Sequence, residues 1–160
     1  MVAREVDFPP VWLAGFAVAG VVIGQILPLN VTAIHIGGGI LVGAGILLML
    51  ASVAQMVLAR TTVLPGRDPR TLVTGGLFRF SRNPIYLGQV VMLAGLYLYW
   101  GAVVALPLVA LFARILQKRF IVPEETLLLE RAAELAEFGL ELERFGPAFE
   151  EYAMTTRRWI

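Results

Sequence analysis

No cysteine occurs anywhere in the chain, and histidine occurs once, at His35. Disulfide frameworks, thiolate nucleophiles and cysteine metal sites are thereby excluded. One histidine leaves little from which to build a metal site, and no metal is expected. Charge is scarce as well: 16% of the residues are charged and 58% are hydrophobic, against ~25% and roughly 45–50% in ordinary soluble domains. No Asp, Glu, Lys or Arg occurs from Phe8 to Ala59, nor from Asn83 to Ala113. The formal net charge is +1, without the dense basic face that neutralising phosphates requires, so no nucleic-acid partner is expected.

What is present is apolar sequence in long runs. A membrane-crossing helix needs ~20 largely apolar residues, and the two uncharged stretches accommodate four. The expected fold is all-α, a single polytopic membrane domain over 1–160. Its spans fall at about 11–27, 34–58, 84–100 and 103–120, with a loop at 59–83 and a C-terminal amphipathic helical cap at 124–160. The first span ends at Pro28-Leu29-Asn30, a composition that breaks helices. Its N-terminal flank mixes Arg4 with Glu5 and Asp7, which favours a retained helix over a cleaved signal. Arg60, Arg67, Arg70, Arg79 and Arg82, opposed only by Asp68, assign the loop to the cytoplasmic side by the positive-inside rule. Lys118 and Arg119 close the fourth span on that side. Both termini are then cytoplasmic, and the expected location is a prokaryotic cytoplasmic membrane. Tyr97, Tyr99 and Trp100 suit the far interface, with Gly101 allowing a tight reversal. Gly20 with Gly24, and Gly39 with Gly43, fall at intervals that let helices approach closely in lipid. After Pro123 the sequence becomes amphipathic and acidic, with Leu128, Leu135 and Leu142 among glutamates. Leu128–Arg131 is echoed by Glu141–Arg144, and Phe138-Gly139 by Phe145-Gly146, as in a small local duplication.

Two clusters carry the candidate chemistry. Asn83 is placed to cap a helix that Pro84 begins, with Arg82 as a headgroup anchor. The same geometry serves as an anion site, because a helix start presents unpaired N–H groups and Arg82 adds a cation. At Pro123-Glu124-Glu125, acids in a first helical turn complement the helix dipole. They also form a carboxylate pair at the membrane depth of Arg82, if the third and fourth spans make a hairpin. Both readings stand at both clusters until the two are paired.

Together these motifs resemble a known family. Gly-Leu-Phe-Arg-x-x-Arg-Asn-Pro-x-Tyr from Gly76 to Tyr86, an apolar hairpin, Glu124-Glu125-x-x-Leu128, Phe145-Gly146-x-x-Phe149-x-x-Tyr152 and Arg157-Arg158-Trp159 look like the isoprenylcysteine carboxyl methyltransferase and phospholipid methyltransferase group of membrane enzymes. The resemblance runs from about Leu72 to Ile160, the first two spans matching only in hydrophobicity. It implies an S-adenosylmethionine-dependent methyltransferase with its cofactor at the cytoplasmic end of the last hairpin, under the C-terminal segment. Carried over by position, Arg82, Asn83, Pro84 and Tyr86 would line the cofactor pocket. Leu87 and Gly88 would allow close approach, and Glu124 and Glu125 would hold the cofactor's polar groups. Tyr152 and Arg157 or Arg158 would close the pocket or meet the acceptor, and Phe78 belongs with the substrate side. The family often has histidine at the position of Asn83, and extra residues lie between Arg131 and Phe145. Either Phe138-Gly139 or Phe145-Gly146 is the counterpart of the family's pair; only the second is followed by a fitting Phe149 and Tyr152.

The chemistry is coherent with those residues. The cofactor's carboxylate needs an anion site such as Arg82, and its donors need carboxylates such as Glu124 and Glu125. Methyl transfer is an in-line displacement in which positioning can supply ~7–11 kcal/mol. Arg82 and Glu125 are the expected catalytic residues, Glu125 or a water it holds serving as base. The expected partners are membrane lipids and a lipophilic acceptor, an isoprenylcysteine carboxylate, a phospholipid amine or similar. Arg114, inside the fourth span, costs ~2.5–3.5 kcal/mol near a bilayer midplane, and is expected to snorkel as an anchor or line an acceptor tunnel. His35 is expected to be interfacial and structural, and Gln25 to hydrogen-bond another helix. A non-catalytic lipid-binding or assembly module and a nicotinamide-dependent reductase are the alternatives.

Overall fold

The computed structural model describes residues 8–61, 73–137 and 145–160, and every regular element among them is helical. In chain order these are α1 (Pro9–Ile26), α2 (Thr32–Leu58), a 3-10 turn (Gly76–Arg79), α3 (Pro84–Tyr99), a short 3-10 turn (Val103–Ala105), α4 (Pro107–Leu116), a π-helical turn (Gln117–Ile121), α5 (Val122–Glu137) and α6 (Phe145–Thr155). Prolines at the starts of α1, α3 and α4 sit where a missing N–H is harmless. Arg67, Asp68, Arg70, the Phe138-Gly139 pair and the echo at 141–144 lie outside the described residues.

Contacts divide the chain into two units, Met1–Met49 with Tyr86–Gln117, and Leu50–Ile85 with Lys118–Ile160. α1 lies in the first and α2 runs from the first into the second at Leu50, and each is long and apolar enough to cross a membrane. Only 17% of the apolar window of α1 and 11% of that of α2 is buried. Side chains such as Ile26, Ile40 and Leu47 stand out exposed, which rules out the core helix of a soluble protein and suits lipid. α3 is apolar but shorter, at 16 residues.

The stretch over 103–120, expected as a fourth span, is not a single helix. It is assembled from a 3-10 turn, the 10-residue α4 and a π turn. Nor does the helical path break at Pro123, which falls in the first turn of α5 directly after the π turn. Proline offers no N–H to the carbonyl four residues back, at Arg119, and its ring crowds it. A locally widened turn relieves that conflict and lets the helix continue.

Within the first unit the close helix contact is also not where the i, i+4 spacing placed it on α2. Added Cβ atoms at Gly43 would meet nothing within 4 Å, whereas one at Gly45 would stand 2.6 Å from the Gly88 carbonyl and one at Gly88 2.8 Å from that of Gly45. Gly38 and Gly95 make the same reciprocal approach. The seam repeats every seven residues, two turns of helix, so both backbones meet twice along one line. Gly88 is thus held for helix packing. Gly45→Leu is expected to cost about 1–3 kcal/mol through overpacking, read as a lowered thermal midpoint in detergent by circular dichroism, while Gly43→Ala leaves it unchanged.

Tyr97 also departs from expectation. Its ring is fully buried and its hydroxyl donates to the Phe16 carbonyl at 2.7 Å, so it is a core residue rather than an interfacial one. Tyr99 is 53% exposed. The reversal at Gly101 has the positive φ of 69° that favours glycine, and its carbonyl accepts the Leu29 N–H at 2.9 Å. His35 Nδ1 donates to the Tyr99 carbonyl at 2.7 Å, a structural tie between α2 and α3. Gln25 is exposed in the last turn of α1 rather than buried between helices.

Candidate active site

The site is built wholly within the second unit, from the chain around the 3-10 turn, the first turn of α5, and α6 with the residues after it. Gln55, near the end of α2, positions the 3-10 turn. Its Oε1 accepts the Leu77 N–H at 3.1 Å and its Nε2 donates to the Gly75 carbonyl. Gly76 between them has φ 59°, and a Cβ there would collide with the Gln55 amide. A lone glutamine in an apolar helix gave no sequence signal of this role.

The turn is anchored from below by apolar burial. Phe78, Phe149 and Tyr152 form a buried cluster, with Met56, Val73 and Ala153 packed on it. Phe149 and Tyr152 lie one helical turn apart on α6, so they present one face to Phe78. The Tyr152 hydroxyl donates to the Phe78 carbonyl, satisfying a phenol that would otherwise be stranded in an apolar setting.

Beyond Phe78 the chain runs alongside the C-terminal segment, tied by backbone groups. The Arg82 N–H donates to the Arg157 carbonyl at 3.0 Å. Ser81 Oγ, on a residue only 2% exposed, accepts the Asn83 N–H and donates to the Arg158 carbonyl, each at 3.2 Å. Asn83 Nδ2 donates to the same Arg158 carbonyl at 3.3 Å. The buried Thr156 hydroxyl donates to the Arg79 carbonyl at 3.5 Å. Asn83 does precede the first residue of α3, but its side chain is directed to the C-terminal segment. Ser81 and Thr156 were missed in the sequence because small hydroxyl residues in loops are common and these bond to carbonyls, which carry no sequence identity.

Glu125 stands at the centre. Arg158 grips its Oε2 from Nε at 2.8 Å and from Nη2 at 2.7 Å, and Arg82 Nη1 lies 3.3 Å from its Oε1. The Arg82 and Glu125 side chains are each 13% exposed and that of Arg158 is 40%. The hydrogen bond to Glu125 holds the Arg158 guanidinium above its ordinary value, partly offset by desolvation. Two polar atoms in this cluster are buried without a hydrogen-bond partner among the described residues, Arg82 Nε and Glu125 Oε1. Buried polar atoms are seldom left unpaired, since each costs ~1–3 kcal/mol. One orphaned donor beside one orphaned acceptor can receive a small ligand that carries both an anion and a cationic donor.

The structure therefore brings together Arg82, Asn83, Pro84, Glu125, Tyr152 and Arg158 in one unit, with Glu124 half-buried in the same first turn of α5. Tyr86, Leu87 and Gly88 occupy the first two turns of α3 and are grouped with the other unit, as is Arg114. Arg114 is exposed on α4. Phe78 lies in the apolar cluster, 8% exposed.

Burial pushes the Tyr152 phenol up to about 12, the positive charge of Arg82 opposing it. A raised value means that the unfolded chain loses this proton first as pH rises. The stabilisation is then complete below the ordinary value of 10.0 and lost as pH climbs through about 12. Tyr152→Phe is expected to remove that component from an alkaline unfolding titration, and at neutral pH to cost about 1–3 kcal/mol because the Phe78 carbonyl loses its donor.

A family model described as phospholipid methyltransferase matches residues 33–131. The match starts near the beginning of α2 and ends within α5, so it includes Arg82, Glu124 and Glu125. It begins well before Leu72, where the sequence resemblance was first legible, and it stops short of α6 and Arg158. No curated protein and no solved structure matches the chain.

Proposed function

The chain belongs to the phospholipid methyltransferase family, and from that premise we propose that it is an integral membrane enzyme moving a methyl group from S-adenosylmethionine to a lipophilic acceptor reached from the bilayer. The observation that carries this reading is the buried Arg82–Glu125–Arg158 cluster with its two unsatisfied atoms, Arg82 Nε and Glu125 Oε1. When bound, S-adenosylmethionine supplies an electrophilic methyl on a sulfonium, together with an ammonium and a carboxylate. Arg82, beside the start of α3, takes the carboxylate. Asn83 and Pro84 fix the backbone there, and Glu124 and Glu125 take the ammonium and other donors. The C-terminal segment excludes water by lying along residues 79–83 through its hydrogen bonds.

The two roles expected of Glu125, holding the donor's ammonium and accepting the acceptor's proton, meet at a single oxygen. Arg158 occupies Oε2, which leaves Oε1, an atom with no hydrogen bond but with Arg82 Nη1 3.3 Å away in an ion pair. Donor affinity measured apart from turnover at saturating donor separates them, because a counter-ion acts on binding and a base acts on the chemical step within the complex.

The finer topology belongs to the same proposal. α1, α2, α3 and the composite fourth helical stretch cross the membrane, with the basic loop and both termini on the cytoplasmic side of a prokaryotic membrane. The acceptor is an isoprenylcysteine carboxylate, a phospholipid amine or a similar lipophilic group.

The experiment is incubation of purified full-length protein with methyl-labelled S-adenosylmethionine and a total membrane lipid extract, alongside calorimetric titration of the cofactor in detergent. Binding together with transfer of label to an extractable lipophilic component is the expected result. A folded sample that binds no S-adenosylmethionine would leave the non-catalytic module as the correct reading.

A further inference from the structure

The hydrogen bonds described on residues 78–83 reach α6 and the residues after it. The chain just before them is held from the other side, by α2. Gln55, half-buried three residues from the end of that helix, closes both of its amide groups on this stretch, Oε1 on the Leu77 N–H and Nε2 on the Gly75 carbonyl. The amide also lies against the bare face of Gly76, where a Cβ would stand 2.6 Å from Oε1. Water is an alternative partner for the exposed Gly75 carbonyl, so stability alone gives weak reason for a glutamine here. Fixing the position of the turn gives a stronger one.

The support beneath the amide is rigid. α2 ends in a Schellman cap, the Thr61 N–H donating to the Met56 carbonyl at 3.1 Å and the Arg60 N–H to that of Val57 at 3.0 Å. Arg60 is held there at a φ of 55°, a conformation that suits glycine. Met56, next to Gln55, packs on the cluster around Phe78. The turn of α2 that carries Gln55 is thus fixed by its own cap and by apolar contact.

Leu77 passes this hold along the chain. Its N–H is taken by Gln55, and its carbonyl accepts the Phe80 N–H at 3.1 Å and the Ser81 N–H at 3.3 Å. Ser81 directly precedes Arg82, and its Oγ accepts the Asn83 N–H on the far side of that residue. Links from Gln55 to Leu77, from Leu77 to Ser81 and from Ser81 to Asn83 therefore run from α2 to the backbone on both sides of Arg82.

We infer that Gln55 is a positioning residue of the donor site, its amide fixing the backbone that presents Arg82, so that donor affinity is set from within α2. Its hydrogen bonds go to the turn, and none goes to Arg82, Glu125 or Arg158 among the described residues. The effect on the donor rests on the proposed function; the hold on the Arg82 backbone does not. An amide suits the task because it offers one donor and one acceptor in a single plane. A protonated carboxylic acid offers the same pair, whereas a carboxylate keeps only acceptors and sets one of them against the Gly75 carbonyl. Gln55→Glu is therefore a switch that pH throws within one sample, and Gln55→Leu removes both bonds at every pH.

The test follows S-adenosylmethionine affinity by calorimetry, and amide hydrogen exchange over residues 77–82 by mass spectrometry, for the full chain and both variants in detergent. The range is about pH 4 to about pH 8, which spans the ordinary titration of a glutamate. Each value is taken as a ratio to the parent at the same pH, which cancels the pH dependence of the ligand and of exchange itself. Gln55→Leu should weaken donor binding about tenfold throughout, the scale of one or two neutral hydrogen bonds. Gln55→Glu should lie within about twofold of the parent at the acid end and fall to the level of Gln55→Leu as its carboxyl ionises. Exchange from Leu77 through Arg82 should quicken over the same range. The acid end is the folding control for the alkaline end, because one sample passes through both. Parental donor affinity in both variants, a ratio for Gln55→Glu that does not move with pH, or faster exchange confined to Leu77 overturns the assignment. If the parent binds no S-adenosylmethionine while exchange at Ser81 and Arg82 still follows the ionisation, the proposed function falls and the hold of Gln55 on the Arg82 backbone stands.

Discussion

Glu125→Gln is expected to weaken S-adenosylmethionine binding by about 100-fold and to leave only a small residual rate of methyl transfer, with a folded protein remaining. The substitution keeps the shape of the side chain but removes the one negative charge gripped by Arg158 and approached by Arg82. Breaking a buried ion pair from one side costs ~3–5 kcal/mol when the stranded charge stays dry. Here the cost falls toward the lower end, because Arg158 is 40% exposed and can turn to solvent. Arg82 cannot do so as easily at 13% exposure. The amide also places a donor where the ligand's ammonium needs an acceptor, which accounts for the loss of affinity beyond the loss of the pair. Calorimetry and single-turnover transfer check it. If Glu125 serves as base, the single-turnover rate at saturating donor falls in the variant, whereas a counter-ion alone lowers only donor affinity. Donor affinity and turnover both within threefold of wild type would remove Glu125 from the site.

How much of this was legible beforehand follows from what kind of contact each part makes. The bounds of α1, α2 and α3 were readable to within two residues, because long apolar helices announce themselves by the absence of charge over a fixed length. Arg82 and Glu125 were readable as partners because charges are rare here, and a rare residue beside a helix start carries information. The stretch expected as a fourth span was read as one helix, since composition gives no sign of a π turn, whereas the helix start at Pro123 with Glu124 and Glu125 in its first turn was legible. Gly43 was chosen over Gly45 because the four-residue rule was applied where the helices meet every seven. Tyr97 was sent to the interface by residue type, although a tyrosine with a carbonyl within reach can be wholly buried. The ties through Gln55, Ser81 and Thr156 run to backbone groups, and no pattern in side-chain identity can reveal an acceptor that every residue possesses.

Arg82 offers the sharper test of whether the cluster recognises a ligand or merely holds the C-terminal segment. Its backbone N–H to the Arg157 carbonyl persists in any side-chain variant, so the segment keeps that anchor whatever replaces the guanidinium. Arg82→Lys retains a positive charge near Glu125 but loses the planar fork, and with it the Nε that is buried without a partner. If the cluster were structural, lysine would serve nearly as well as arginine, since Arg82 Nη1 is 3.3 Å from Oε1 and a point charge can sustain that attraction. If Nε and its neighbour grip a carboxylate in two places, lysine should lose about tenfold in donor affinity and Arg82→Ala about 100-fold, the second and first halves of a bidentate charge-assisted contact. Arg158→Lys should cost less than Arg82→Lys, because Arg158 is the more exposed and its fork is already spent on Glu125. A double-mutant cycle between Arg82→Ala and Glu125→Gln should show a coupling of ~0.5–3 kcal/mol in donor binding, as for groups in one network. Arg82→Lys binding S-adenosylmethionine as tightly as the parent, with no coupling in the cycle, would mean that the orphaned nitrogen faces nothing the enzyme uses.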